Sequence, residues 1–219
     1  MSRLKLKRFK VKPLAPNVQD QYVRIYHSAD LHAAPETLPL LTPESLFGVD
    51  TPLIFDLGAG RGDWLITQAA QNPELRYVGI ELHWKSVCDA VHKAAAAKLD
   101  NVRLVKADLR WMLPKIPDAV ATDIYMLFPP PRVEARELKS DLLSESILRH
   151  IHRMLTAGGR FHFVTDHEAY FEWKLALIRD SGLFTDIQTS SLIEGGITWF
   201  QKLWESNQIE SRRLECRKV

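Results

Sequence analysis

Residues 53–62 constrain the fold more tightly than any other stretch of the chain. Leu53-Ile54-Phe55-Asp56-Leu57 runs directly into Gly58-Ala59-Gly60-Arg61-Gly62. A short, almost wholly apolar run closed by glycines reads as a strand buried on both faces. Glycine lets the backbone turn sharply and lets a ligand approach where a Cβ would stand. Asp63 to Gln71 then reads as a helix. A strand, a glycine turn and a helix in that order open a βαβ unit, and such units build parallel sheets covered by helices.

The rest of the chain repeats the alternation. Tyr77–Ile80 reads as a second strand ending at Glu81, and Trp84 to Lys98 as a helix with Trp84, Val87, Cys88, Val91 and Ala95 on one face. Val102–Val105 is a third strand, ending near Asp108, and Val120–Leu127 a fourth, stopped by Pro129, Pro130 and Pro131. Leu143, Ile147, Ile151 and Leu155 form an i, i+4 stripe, with Gly158 and Gly159 placed to end that helix. Phe161–Val164 is a fifth strand, ending at Thr165-Asp166, followed by a helix over about Ala169–Asp180 and C-terminal strands. The expected fold is α/β, doubly wound around a mostly parallel sheet. Residues 1–50, interrupted by Pro13, Pro16, Pro35, Pro39 and Pro43, read as an irregular basic lead-in to a domain over 51–219.

Composition narrows the class. A chain of 219 residues with a 46% hydrophobic share suits one large domain with a proper core. Cys88 and Cys216 are too few and too far apart for a disulfide framework or a metal-ligand pattern. His150 and His152 lie two apart on a helix and point to different faces, so no metal site is expected. With no apolar leader and no apolar run of membrane-spanning length, a cytoplasmic protein is expected. The net charge is only +2, but Arg3, Lys5, Lys7, Arg8, Lys10 and Lys12 precede the first acid, Asp20, and Arg212, Arg213, Arg217 and Lys218 close the chain. Basic arms of this kind neutralise nucleic-acid phosphates or remain solvated termini.

In doubly wound sheets the ligand lies beyond the carboxyl ends of the strands. Asp56, Glu81, Asp108 and Asp166 all fall at or just past such ends. The glycine spacing separates two ligand classes. A dinucleotide fingerprint needs glycine at its first, third and sixth positions, and the sixth position here is Asp63, a carboxylate that would face a pyrophosphate. Gly58, Gly60 and Gly62 at the first, third and fifth positions, behind the acidic Asp56, resemble motif I of the Rossmann-like S-adenosylmethionine-dependent methyltransferases. Carboxylates suit that cofactor's ammonium and ribose diol because they offer only acceptors. Glu81 stands where an acid grips a ribose diol. Asp108 is placed to accept from the adenine amino group, and Leu127, closing the fourth strand, joins the cofactor contacts.

Four further stretches carry a more specific resemblance. They are Gly79-Ile80-Glu81-Leu82-His83, Phe128-Pro129-Pro130-Pro131, Thr165-Asp166-His167-Glu168-Ala169-Tyr170 and Thr198-Trp199-Phe200-Gln201, with Arg213-Leu214-Glu215 as a closing strand. Together they resemble the bacterial tRNA (guanine-N7-)-methyltransferases from about residue 45 onward. The resemblance implies an antiparallel C-terminal strand, S-adenosylmethionine as cofactor and tRNA as partner. It implies substrate contacts at Asp166, Arg136, Thr198 and Gln201, with Asp166 the candidate catalytic residue.

The departures lie on the substrate side. The family's acid in Phe-Pro-Asp-Pro is Pro130 here, a family lysine is Glu134, the closing glutamate is Gln201, and the basic run through Asp141 loses an arginine pair. A methyltransferase of the same fold on another substrate, or an inactive RNA-binding relative, therefore stand as alternatives. Trp64, Trp84, Trp111 and Trp173 read as core or rim residues. Trp199 and Trp204 are better placed to stack on a base, with core packing slightly ahead even for them.

Overall fold

The computed structural model describes residues 10–33, 38–132, 141–191 and 210–219. Its strands are β1 (Val23–Ile25), β2 (Leu53–Leu57), β3 (Arg76–Glu81), β4 (Val102–Lys106), β5 (Ala121–Leu127), β6 (Leu155–Thr165), β7 (Phe184–Ser190) and β8 (Arg212–Lys218). They form one eight-stranded sheet in the order β1-β4-β3-β2-β5-β6-β8-β7. β1 through β6 pair in parallel, while β8 runs antiparallel to both β6 and β7. Progression runs from β2 through β3 to β4 on one side and resumes at β5 and β6 on the other. The order therefore reverses at β2, and the crevice at such a reversal is where α/β sheets take ligands.

The helices are α1 (Pro16–Tyr22), α2 (Ser28–Ala33), α3 (Pro43–Phe47), α4 (Asp63–Gln71), α5 (Trp84–Ala96), α6 (Leu109–Met112), α7 (Glu145–Met154) and α8 (Glu168–Asp180). Two apolar clusters cover opposite sheet faces. One joins Ile54, Tyr77, Val102 and Leu104 to Trp64 and Leu65 of α4 and to Val87, Ala90 and Val91 of α5. The other joins Phe55, Val78, Ile124 and Phe161 to Ile147 and Ile151 of α7 and to Tyr170, Phe171 and Ile178 of α8. β2 is buried at every residue because both clusters meet across it, as its unbroken apolar run requires.

Three expectations are corrected. The lead-in is not irregular over its described part. α1 delivers the chain into β1, which pairs with β4 from Val23↔Leu104 to Ile25↔Lys106. Pro16 and Pro43 start helices rather than break them, because a first-turn proline sacrifices no intrahelical bond. The helix expected to run to Gly158 ends at Met154. Leu155, although fully buried like the stripe before it, already belongs to β6. Between the pairs Ala121↔Leu155 and Asp123↔Arg160 the ladder loses register, and Gly158 turns there with φ of 69°. Trp84, finally, is not part of the buried face of α5. It is 38% exposed because it opens the helix at the rim of the sheet, ahead of the turn that packs against Gly62.

Candidate cofactor and substrate site

The turn after β2 is held against β3 by a row of hydrogen bonds. Gly58 N and Ala59 N both donate to Ile80 O (2.8 and 3.1 Å), and Gly62 N donates to Ala59 O at 2.9 Å. Gly60 N donates to Glu81 Oε2 at 3.0 Å, and His83 N to Glu81 Oε1 at 2.7 Å. Glu81 therefore fastens the glycine turn to the β3 tip while each oxygen keeps acceptor capacity for a ligand. Gly58 has φ of 86° and Gly60 of 55°, and no side chain stands near where either Cβ would lie. That open ground is the bed a ligand would occupy. Gly62 serves packing instead. A Cβ there would meet Ala90 Cβ at 2.7 Å, so its bareness lets α4 and α5 approach.

Asp56 lies beneath this turn, 2% exposed, with no hydrogen-bond partner for its Oδ1 among the described residues. Burial, reinforced by the Glu81 charge, pushes its carboxyl up to about 8. A buried acid with an orphaned oxygen costs free energy unless something completes it. A cationic or donor-rich ligand over Gly58 and Gly60 would do so, and this fits the ammonium and hydroxyls of S-adenosylmethionine.

Asp108, 7% exposed, has other obligations. It caps α6 by accepting from Arg110 N at 3.0 Å, and it takes Arg110 Nε at 3.0 Å and Nη2 at 2.5 Å. The Arg110 guanidinium holds its carboxyl below the usual range. Its place beside the β3 tip is as expected, for Ala107 N donates to Glu81 O, but an adenine amino group would share it with Arg110.

Sequence spacing does not reveal the ionic frame behind the turn. Lys93 Nζ donates to Arg61 O (2.8 Å) and lies 2.7 Å from Asp63 Oδ1 and 2.9 Å from Asp89 Oδ2, while Arg61 Nε binds Asp89 Oδ2 at 2.7 Å. Asp63, in the sequence only an obstacle to pyrophosphate, ties α4 to α5. The i, i+4 pair Asp89–Lys93 is the one signal of this frame that the sequence offers. Nearby, His92 Nε2 lies 2.9 Å from Lys12 O, so the backbone at Lys12 is seated on α5.

The residues expected on the substrate side stand on the next tips. Leu127 pairs with Val164, and Phe128 N donates to Val164 O at 2.8 Å. Phe128-Pro129-Pro130 and Thr165-Asp166 thus leave the sheet side by side. Phe128 has φ of 52°, a conformation that a bulky residue adopts only where its surroundings impose it. Pro129 is buried and Pro130 exposed. Thr165 Oγ1 accepts from His167 N at 3.2 Å, and His167 Nδ1 caps α8 by accepting from Tyr170 N at 3.1 Å. This turn leaves Asp166 half-buried at the rim. Across the sheet the tips therefore read Asp108, Glu81, Asp56 with the glycine turn, Phe128 and Asp166. Glu134, Arg136, Thr198, Trp199, Gln201 and Trp204 lie outside the described residues. Trp64 is core as expected, while Trp111 and Trp173 are 42% and 38% exposed. Cys88 and Cys216 are buried and free, and the described residues hold no metal-binding group of acids, histidines and cysteines.

A glycine turn at the switch point, flanked by acids on neighbouring tips and continued by an antiparallel β7–β8 pair, defines a Rossmann-like methyltransferase fold. A solved antibiotic-related methyltransferase shares it, with a TM-score of 0.61 at 20% identity over 80% of this chain and 92% of that one. The family model described as "Putative methyltransferase" matches residues 50–212. A tRNA (guanine-N(7)-)-methyltransferase of Rubrobacter xylanophilus is 35% identical over 94% of this chain and 94% of its own. One of Chloroflexus aggregans is 35% identical over 97% and 95%. The chain belongs to the tRNA (guanine-N(7)-)-methyltransferase family.

Proposed function

We propose that this protein transfers a methyl group from S-adenosylmethionine to N7 of a guanine in tRNA. The observation that carries the reading is the order of the strand tips. The cradle of Asp56, Gly58, Gly60 and Glu81 adjoins the Phe128–Pro130 and Thr165–Asp166 turns, so a methyl donor on the first lies beside a base presented to the second. The relatives' names support tRNA as the substrate, and the orphaned Asp56 oxygen supports a cationic ligand.

When bound, the cofactor supplies an electrophilic methyl on a sulfonium. Guanine N7 presents a lone pair and has no proton to lose, so the chain needs no general base. Its work is to hold the base in line and to tolerate a cationic product. Asp166 suits both roles, as an acceptor for the guanine N1 and N2 protons and as a nearby negative charge. This reading tolerates Pro130, because an acid at that position would assist binding or charge balance rather than remove a proton. Arg136, Thr198 and Gln201 are proposed as further substrate contacts, and the methyltransferase domain is proposed to take in β1 of the lead-in together with residues 51–219. The basic lead-in, anchored through Lys12 on α5, is proposed to meet tRNA phosphates. A cytoplasmic location follows from a tRNA substrate. Among the described residues no helix is long and apolar enough to cross a membrane.

The test is nucleoside analysis of unmodified tRNA incubated with purified protein and S-adenosylmethionine. New 7-methylguanosine is expected. Cofactor binding with methylation at another atom would favour a different substrate, and binding without any transfer would favour an inactive RNA-binding relative.

A further inference from the structure

Among the described residues, two buried ionisable clusters lie outside the cradle. In one, Asp123 accepts from Arg160 Nε at 2.7 Å and from His162 Nε2 at 2.9 Å. It ties β5 to β6 across paired positions, and sheet cohesion accounts for it. The other is not so easily explained. Asp141 is 5% exposed, and Tyr170 and Lys174 are 0% exposed. Tyr170 Oη donates to Asp141 Oδ1 at 2.7 Å, Leu143 N to the same oxygen at 3.4 Å, and Lys174 Nζ to Asp141 Oδ2. The Lys174 ammonium also sits 3.3 Å from the Trp173 ring centroid and 5.0 Å from that of Tyr170.

Stability alone does not explain such an arrangement. Removing a carboxylate and an ammonium from water costs several kcal/mol per ion, and apolar residues of equal volume often do as well or better. What directional bonds to a buried charge add over apolar packing is a fixed register. The register fixed here is specific. Tyr170 and Lys174 are one turn apart on α8, whose capping residue His167 directly follows Asp166. Asp141 is one flank of residues 133–140. The other flank is Arg132, whose charge also acts on the Tyr170 phenol, pulling it down against the upward push of burial and of Asp141. Asp141 is thus held on α8 at Tyr170 and Lys174, one to two turns beyond the Asp166-His167 turn that opens the helix. The sequence departure at 141 also acquires a sense. In a stretch where the resemblance leads one to expect arginines, the chain has an acid facing inward, matched by a buried lysine.

We propose that Asp141, Tyr170 and Lys174 are positioning residues that fix α8 behind Asp166, and so align the RNA base. This rests on the tRNA reading above. The decisive protein is the doubly apolar variant Asp141→Leu/Lys174→Met, which removes both charges and leaves neither stranded. It should fold and bind S-adenosylmethionine within about twofold of wild type, while kcat on tRNA falls about tenfold or more, as expected when alignment rather than binding is lost. Tyr170→Phe, which removes one hydroxyl from an otherwise intact ring, should lower kcat severalfold with cofactor affinity unchanged. It decides the matter alone if the double variant does not fold. Unchanged kcat and KM for tRNA in a folded variant would reduce the cluster to a structural plug, and so would equal losses in cofactor and tRNA binding. A wild-type protein that transfers no methyl group to tRNA overturns the underlying reading, and the positioning role falls with it. The wild-type control separates that result from failure of the cluster alone.

Discussion

The carboxyl of Asp56 should make this protein lose stability as pH rises toward 8, the reverse of an ordinary surface carboxylate. Its folded value of about 8 stands far above the 3.8 of an unperturbed aspartate. Between those values the folded state holds a proton that the unfolded chain has released, so the unfolding free energy falls with increasing pH. The slope approaches about 1.4 kcal/mol per pH unit for one proton. From about pH 5.5 to 7.5 the wild type should lose on the order of 2–3 kcal/mol through this group, and the loss should level off above about pH 8. Asp56→Asn keeps the shape and removes the titration. The assay is urea unfolding of both proteins across that range, read as the difference between them so that other titrating groups cancel. The difference should grow with pH in favour of the variant. The same group should respond to the cofactor. A cation held against Asp56 favours the ionised form, so S-adenosylmethionine binding near pH 7 should release close to one proton, seen as a binding heat that depends on the buffer's ionisation enthalpy. A constant difference between the two proteins, or heats independent of buffer, would refute the reasoning.

Other outcomes follow from the same geometry. Gly60→Val places a β-branched side chain at positive φ in the open bed of the turn. It should cost about 1–2 kcal/mol of stability and abolish measurable cofactor binding in calorimetry while the protein stays folded. Glu81→Gln sets an amide donor against either Gly60 N–H or His83 N–H, so the protein should lose about 1–3 kcal/mol of unfolding free energy and bind the cofactor more weakly. Asp166→Ala should lower turnover on tRNA by about tenfold or more with cofactor affinity nearly unchanged. Parallel loss of both would remove Asp166 from the substrate side.

The sequence is most legible where a residue type admits few conformations. The glycines bound β2 and α4 to the residue, and strand ends mark the row of acids without any contact being visible. It misleads where one side chain satisfies two patterns. Leu155 continues the α7 stripe and is buried, yet its backbone has already joined β6, because a buried leucine serves a helix or a strand equally. β1 is too short to show periodicity and sits among prolines, so only its pairing with β4 exposes it. The Asp141–Lys174 pair leaves no trace, since a lysine within a helix ordinarily marks the solvated face. The two residues are 33 positions apart in the chain. Asp108 shows the limit of reading roles from position: it occupies the expected tip, but Arg110, two residues along, engages it.

β1 has a consequence for how the folded chain avoids its own copies. An uncovered strand border offers its backbone N–H and C=O groups to any passing chain. β4 would have such a border if Val23–Ile25 did not lie along it. The cover comes from a segment some 80 positions earlier in the chain, Val23 pairing with Leu104. N-terminally clipped protein therefore exposes a sticky β4 margin that the intact chain keeps paired, and trimming back past Ile25 trades a shorter chain for self-association.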